Sequence, residues 1–232
     1  MSRRALLLSA LLAQGCGLES VTYKAYPGNP YPDIRHVVVL PFMNRTLDPQ
    51  ANFVEFSNIF ASELLKFEGF RVVRPLQAAE AAAPGEKIQS LEDVLRFARR
   101  FKADAIVVAD VTDYDPYDPP RIGISVQFLR TSARGLAAAE IDRIVQSSSW
   151  RRGPVGLSRD KAGHFIAAFE HVYDAHEERI RREIVAYAQA QDESDSPFPA
   201  EREFLAVQAR YQQFVSNQVI NHIFEVSAPH AP

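Results

Sequence analysis

The sequence predicts a mixed α/β (α+β) protein, in which strands and helices follow one another as β-α-β-α-β-β-β and a helical hairpin comes last. Short apolar runs rich in β-branched residues predict the strands, and amphipathic stretches between them predict the helices packed on the sheet. After residue 157 the apolar spacing becomes helical over two long stretches. Hydrophobic residues make up 47% and charged residues 24% of the 232-residue chain, so a packed core is expected.

The first strand and the first helix are the clearest elements. Residues 36–42, HVVVLPF, form a short apolar run with the length and composition of a buried strand. A polar loop follows it. In residues 53–69 the apolar side chains recur at three- and four-residue spacing, which predicts an amphipathic helix ended by a glycine; these side chains are Phe53, Phe56, Phe60, Leu64 and Phe67.

The next stretch repeats the alternation of strand and helix. Residues 70–75 predict a strand, and residues 77–89 predict a loop with room for a helical turn. Ser90 and Asp93 have the spacing of a capping box at the start of a second helix. Residues 103–114 then predict a third strand.

A β-hairpin is predicted after the third strand. Residues 114–120 form a proline-rich turn, and residues 121–133 alternate between apolar and polar positions, which predicts a half-buried strand. Residues 132–135 predict the hairpin turn, and residues 137–150 predict the return strand. One side of the first strand carries Ile122, Ile124, Val126 and Phe128, and the other carries Gly123, Ser125 and Gln127.

Two long helices are predicted in the last third of the chain. The first runs from Ser158 to about residue 190 and the second covers residues 199–225, with the polar stretch 192–197 between them. Both stretches have apolar residues at helical period. Over residues 157–225 they predict a helical hairpin that packs on the sheet or extends from it.

The amino terminus has the pattern of a secretory signal peptide. Arg3 and Arg4 form a basic start, and residues 5–13 form an apolar run of nine residues. At about 1.5 Å per residue, such a run is too short to cross a hydrocarbon core of about 30 Å as a helix. Small residues then precede a cysteine.

Residues 12–16, LAQGC, resemble the bacterial lipoprotein signal, the lipobox. The resemblance implies that residues 1–15 are removed as a signal peptide and that Cys16 carries the lipid, with palmitate among its acyl chains. Gly17 stands where inner-membrane lipoproteins carry aspartate, which implies the outer membrane, with the protein facing the periplasm. The alternatives are an ordinary signal peptide followed by an incidental cysteine, or a cysteine buried in a helix that is misread as a signal.

Residues 16–35 predict a semi-extended tether between the lipid and the domain, because prolines and glycines in this stretch oppose regular structure. Three tyrosines of the stretch suit contact with a partner. Packing near lipid headgroups or on the protein's own domain is the favoured interpretation for them; they are Tyr23, Tyr26 and Tyr31.

Four stretches in order resemble a known group of envelope proteins. His36–Phe42 followed by Asn44-Arg45-Thr46, then Gly69–Val73, then Ala103–Val111 with a tyrosine-rich exit at Tyr114 and Tyr117, carry the resemblance over residues 36–133. The pattern is similar to the curli secretion channel, to lipoprotein activators of penicillin-binding proteins and to the amino-terminal domain of the TolB translocation protein. The resemblance implies an envelope lipoprotein whose α/β domain binds other proteins and does no chemistry.

Composition and motifs argue against most other functions. Cys16 is the only cysteine, so neither an intramolecular disulfide nor a thiolate zinc cluster can form. A formal charge of −3 gives no case for nucleic acid as a partner. Residues 147–149 are serines without a base at a telling spacing, and residues 153–156 lack the lysine and hydroxyl of a phosphate loop. The sequence therefore predicts no catalytic residue and no cofactor.

Two groups of side chains are weighed as metal sites. Three histidines fall at spacings that do not place a pair one helical turn apart on the predicted helix: His164, His171 and His176. The other group consists of four aspartates, which offer the oxygen ligands that calcium prefers: Asp110, Asp113, Asp115 and Asp118. The spacing of an EF-hand is absent, and aspartate and proline are also good turn formers. No metal is predicted, and ion binding by the aspartates is left open.

The sequence thus predicts a lipid-anchored protein of the bacterial envelope, with residues 36–150 as its α/β domain, that acts as a non-enzymatic binding or assembly factor for another envelope protein. Two alternatives are kept. One is a subunit of an oligomeric outer-membrane secretion channel, with residues 121–133 and 137–149 as its membrane hairpin. The other is an envelope hydrolase with an unrecognised site. The sequence does not set the oligomeric state.

Overall fold

The computed structural model describes residues 26–83, 85, 86, 88, 90–135, 163–191 and 199–227. Among these residues no helix combines the length and the apolar character needed to cross a membrane. The elements follow in the order β1 (His36–Val39), β2 (Met43–Asn44), α1 (Val54–Lys66), β3 (Arg71–Val73), α2 (Pro75–Ala81), α3 (Leu91–Arg100), β4 (Ala105–Asp115), β5 (Arg121–Arg130), β6 (Phe165–Asp174), α4 (Glu178–Ala190), α5 (Ala200–Ala206) and α6 (Gln208–Ser227).

The strands form one mixed sheet of six strands in the order β3-β1-β4-β5-β6, with β2 also paired to β4. β1 runs parallel to both β3 and β4, and helices make the two crossovers that parallel pairing requires. β4, β5 and β6 are antiparallel to one another over about ten residues each. The predicted α/β class, with helices packed on the sheet and a helical carboxyl-terminal region, is confirmed.

The larger core lies between the sheet and the helices α1, α4 and α6, and α5 adds Phe204 to it. The apolar positions predicted for α1 are buried there, and they meet the alternating side chains of β5 that were predicted to face the core. Tyr187 from α4 and Phe214 from α6 contact each other in this core, with ring centroids 5.9 Å apart. Large aromatic side chains therefore fill most of the space between sheet and helices.

The smaller core lies on the other face of the sheet, under α2 and α3. The predicted capping box begins α3: the Ser90 hydroxyl accepts the Asp93 N–H at 3.2 Å, and the Asp93 carboxylate accepts the Ser90 N–H at 3.1 Å. Leu91, Val94 and Leu95 then turn toward β1 and β4. The first turn of α3 is thereby fixed by its own sequence.

One predicted helix is wrong over part of its length. Residues 165–174, assigned to a helix from Ser158 to about residue 190, form the strand β6, and α4 begins only at Glu178. The apolar residues of this stretch fit both a period of two and a helical period. Pairing with β5 favours the strand, because alternate residues then enter the larger core: Ala167, Phe169 and Tyr173 are buried there, and Phe165 is buried in the smaller core.

Three smaller differences concern neighbouring stretches. Residues 75–81, which the sequence placed largely in a loop, form α2. The last predicted helix is confirmed in position but is divided at Val207 into α5 and α6. β5 was predicted to be half-buried, yet Ser125 and Gln127 on its polar side are also buried. The return strand predicted for residues 137–150 lies outside the described residues.

Candidate functional site

The sheet has two ends that carry different features. β4 and β6 both end opposite Arg121, where β5 begins, and β2 pairs with the last part of β4. We call this the loop end, made of residues 45–53, 116–120 and 175–177. The opposite end is called the tether end, and it carries residues 26–35 beside the amino ends of β1, β3 and β4.

The three helices of the larger core run in the same direction between these two ends. At the loop end, Tyr114 contacts Phe53 just before α1 and Gln208 at the start of α6. At the tether end, Tyr26 contacts Lys66 at the end of α1 and Gln191 just after α4. α1 and α4 therefore each join a loop of the loop end to the segment where the chain enters the domain, and α6, which follows α5, ends beside Tyr31 of the same segment.

Asn44 organises the longest loop of the loop end. Its side-chain nitrogen donates to the carbonyls of Asp48 and Ala51 at 2.7 and 2.9 Å, and its side-chain oxygen accepts the Thr46 N–H at 2.9 Å. These bonds close the loop on itself and leave Leu47 at its tip with a relative exposure of 104%. The hydrogen-bonded loop therefore holds an apolar side chain in solvent.

The β4–β5 turn presents a second exposed side chain at the loop end. Tyr117 has a relative exposure of 79%, and its N–H donates to the Asp115 carboxylate at 3.1 Å. Below it, Asp113 and Arg121 pair across the two strands at 2.8 Å. Partly exposed apolar side chains at the starts of the helices extend the same surface: Val54 and Val207.

The four aspartates weighed as a calcium site are dispersed. Asp110 is buried in the sheet, Asp113 pairs with Arg121, Asp115 bonds the turn, and Asp118 is exposed. Within the described residues, histidine, cysteine, aspartate and glutamate side chains form no group of three or more suited to a metal.

Asp110 is a buried carboxylate with incomplete partners. Arg45 approaches it at 3.5 Å, while its Oδ1 atom has no hydrogen-bond partner, and neither has the hydroxyl of Ser125 opposite it on β5. Burial raises the pKa of Asp110; Arg45 acts against this rise without cancelling it. The charged form of Asp110 is therefore disfavoured in the folded protein.

Replacing Asp110 with asparagine is expected to increase the free energy of unfolding at neutral pH by about 1 kcal/mol. A raised pKa in the folded state means that this carboxyl lowers stability as pH rises from 3.8 through the raised value. Urea unfolding of both proteins across this pH range measures the difference. The gain should disappear at low pH; a gain that is constant with pH, or a loss at pH 7, contradicts the argument.

Tyr26 joins the segment entering the domain to two helices through a polar network. The Glu63 carboxylate, on α1, accepts the hydroxyls of Tyr26 at 3.0 Å and of Tyr187 at 3.1 Å and pairs with Lys66 at 2.5 Å. Gln191 donates to the Tyr26 hydroxyl at 2.8 Å. Glu63 is only 2% exposed, so its charge depends on these partners.

The network shifts the pKa values of two of its members. Burial, followed by the nearby Glu63 carboxylate, raises the pKa of Tyr187, so its hydroxyl stays protonated and remains a donor. Burial alone would lower the pKa of Lys66, but its bonds to Glu63 and Tyr26 outweigh burial and raise it. Both shifts favour the protonation states that hold the network together.

Tyr31 fixes the same segment through aromatic packing. Its ring lies 6.0 Å from that of Phe128 and 5.9 Å from that of Phe224, and its hydroxyl donates to the Ile223 carbonyl at 3.3 Å. Tyr26 and Tyr31 therefore pack on their own domain, as the favoured interpretation of the sequence held. Tyr23 lies outside the described residues.

The three histidines weighed as metal ligands occupy separate places. His164 contacts the Arg130 carbonyl at 2.9 Å, and His176 contacts the Asp174 carboxylate at 2.8 Å at the other end of β6. His171 lies near His222 of α6, with ring centroids 6.1 Å apart. Burial lowers the pKa of both His171 and His222, which keeps these rings neutral.

The remaining residues considered in the sequence lie outside the described part of the chain. They are the proposed lipid attachment residue Cys16 and residues 147–149 and 153–156. Sequence reasoning missed the network around Glu63. One signal was present, because Glu63 falls between Phe60 and Phe67 on the apolar side of the predicted helix, where a charge needs partners.

Comparisons with known proteins give structural matches alone. No family model matches the chain, and no curated protein matches it. The LpoB C-terminal domain from Salmonella enterica is 12% identical, with a TM-score of 0.41, over 63% of this chain and 87% of that one. Lipoprotein GNA1162 from Neisseria meningitidis is 10% identical, with a TM-score of 0.37, over 70% of this chain and 99% of that one.

A third match is the PelC dodecamer from Paraburkholderia phytofirmans. It is 14% identical, with a TM-score of 0.26, over 44% of this chain and 65% of the PelC chain. Among the matches named here, GNA1162 is described as a lipoprotein, the class that the sequence resemblance suggested. At these scores they give this chain neither a partner nor an activity.

Proposed function

We propose that this protein is attached to the outer membrane through lipid on Cys16, faces the periplasm, and acts as a non-enzymatic binding or assembly factor for another envelope protein. One observation carries the proposal. The segment that leads back to Cys16 is fixed at the tether end, while the most exposed apolar side chains lie at the loop end.

The two ends are separated by the length of the helices. α1 has 13 residues and so spans about 20 Å between the Leu47 loop and the Tyr26 network. The chain between Cys16 and Tyr26 reaches at most about 35 Å when fully extended. A lipid on Cys16 therefore keeps the tether end within about 35 Å of the membrane and leaves the loop end, about 20 Å away on the domain, free to face the periplasm.

The side chains of the loop end fit a protein partner. Leu47 and Tyr117 are large apolar groups standing in solvent, and such groups supply binding energy when a partner buries them. Acidic residues surround them, which favours a partner whose apolar pocket has a basic rim; these residues are Asp48, Asp113, Asp115 and Asp118. The channel alternative assigns residues 121–133 and 137–149 to the membrane. The first of these stretches contains β5, which lies between β4 and β6 with both faces buried, and the second lies outside the described residues.

Photo-crosslinking in cells tests this surface. A crosslinking residue at position 117 or position 47 is expected to capture the same envelope protein, and one at position 76, an exposed leucine on α2, is not. Leu47→Asp should weaken capture from position 117 roughly 30-fold if the side chain contributes about 2 kcal/mol. Leu76→Asp is the matched control. Equal capture from all three positions, or capture of this chain alone, would contradict the proposal.

A further inference from the structure

A groove with two arginines lies at the tether end, beside the point where the chain enters the domain. It has a volume of about 570 Å³, and Arg35 and Arg71 line it together with Asn29, Glu68 and Gly69. Both arginines are exposed. Within the described part of the chain, neither has a carboxylate in salt-bridge range.

Backbone pairing brings the two arginines to the same edge of the sheet, where the register places Arg71 opposite His36, the residue after Arg35. The Arg71 N–H donates to the Arg35 carbonyl at 2.6 Å as β3 joins β1. On the other wall, the Asn29 side chain donates to the Ile34 carbonyl at 2.6 Å, and the Asn29 N–H donates to the Glu68 carbonyl at 3.1 Å. Hydrogen bonds to the backbone therefore hold both walls of the groove in place, and they fix the backbone positions from which the two arginine side chains extend.

Charge around the groove favours an anionic surface. Of the acidic groups near it, Asp33 pairs with Arg130 at 2.5 Å, and Asp104 accepts the backbone N–H groups of Arg35 and His36. Glu68 is the acidic residue of the groove itself. Further exposed cations lie at the same end of the sheet: Arg99, Lys102 and Arg134.

We propose that the tether end binds the phosphate headgroups of anionic phospholipids through Arg35 and Arg71. Arginine pairs with phosphate through a fork of N–H donors, and cations near an anionic bilayer are attracted to it. The inference rests on the proposed lipid anchor, because the tether brings this groove within reach of the membrane. Headgroup contact turns the acidic loop end away from the bilayer and so orients the partner surface.

Vesicle binding by unlipidated protein tests the inference. We would use residues 16–232 with Cys16→Ser, which is the chain that remains when residues 1–15 are removed as the signal-peptide prediction expects. This protein is expected to bind vesicles of phosphatidylcholine with phosphatidylglycerol and not vesicles of phosphatidylcholine alone. Arg35→Glu with Arg71→Glu should lower the partition coefficient at least tenfold, because each lost cation is worth about a fivefold change.

A matched control carries the same change of charge away from the groove. Arg179→Glu with Arg182→Glu, on the exposed side of α4, should alter binding less than about threefold. Circular dichroism is used to check that both double variants are folded. If the groove variant is not folded, the single variant Arg71→Gln replaces it. For the single variant about a fivefold loss is expected.

Three outcomes overturn the inference. They are equal binding to both kinds of vesicle, equal losses in the groove and control variants, and binding of inorganic phosphate without binding of vesicles, which would assign the groove to a free phosphate. Because the protein used has no lipid, these results do not depend on the chemistry of Cys16. If the vesicle experiment fails, the proposed lipid anchor is not contradicted. If Cys16 proves to carry no lipid, binding of this protein to vesicles can still be measured.

Discussion

Replacing Cys16 with serine is expected to abolish incorporation of labelled palmitate into the protein. The lipobox resemblance assigns the lipid to the sulfur of this residue, and the chain has no second cysteine. Several buried acyl chains contribute about 0.8 kcal/mol per methylene, so their loss removes the whole basis of stable anchoring. Labelling in cells, followed by intact mass of the purified protein, measures the effect as all or none.

The matched control for this experiment is Gln14→Ala, which keeps Gly15 and Cys16 and makes the preceding stretch smaller. It should incorporate palmitate as the unchanged protein does. The Cys16→Ser protein is expected to keep residues 1–15 and to lack the mass of the acyl chains. Palmitate on the serine variant, or an unchanged protein that carries no lipid, would leave Cys16 as an incidental cysteine.

Local sequence was sufficient for most of the fold because the decisive interactions are local. The Ser90 capping box and the spacing of phenylalanines along α1 each specify a structure within one or two turns. Asn44 also acts locally, since all its side-chain bonds stay within the loop that follows it. The role of Asn44 in this chain is therefore to close the loop that carries Leu47.

Features that depend on contacts between distant residues could not be predicted from local sequence. Residues 165–174 form the strand β6 because they pair with the edge of β5. Their own sequence fits a helix as well as a strand, so local spacing alone does not predict the strand. The groove needs Arg35 and Arg71 to meet through strand pairing across more than thirty residues. The two ends of the sheet become distinct only when the direction of three helices is known.

Replacing Glu63 with alanine is expected to lower the free energy of unfolding by about 2–4 kcal/mol. The carboxylate is buried and accepts hydrogen bonds from Tyr26 and Tyr187 while pairing with Lys66. Its removal leaves the Tyr187 hydroxyl with Tyr26, 3.2 Å away, as its remaining partner. Urea unfolding measures the loss, and Glu55→Ala, an exposed position on the same helix, should cost less than about 1 kcal/mol.

The pH dependence of this loss identifies its cause. The pKa of Lys66 is raised above 10.5 in the folded protein, so its contribution is complete below that pH and is lost as pH rises through the raised value. In the Glu63→Ala protein this alkaline loss should be smaller, because the main group that raises the pKa is gone. Equal alkaline losses in both proteins would mean that the variant acts through packing alone.

Limited proteolysis adds a local measure of the same loss. Cleavage within residues 26–35 should become faster in Glu63→Ala than in Glu55→Ala, because the Tyr26 hydroxyl then loses its acceptor on α1.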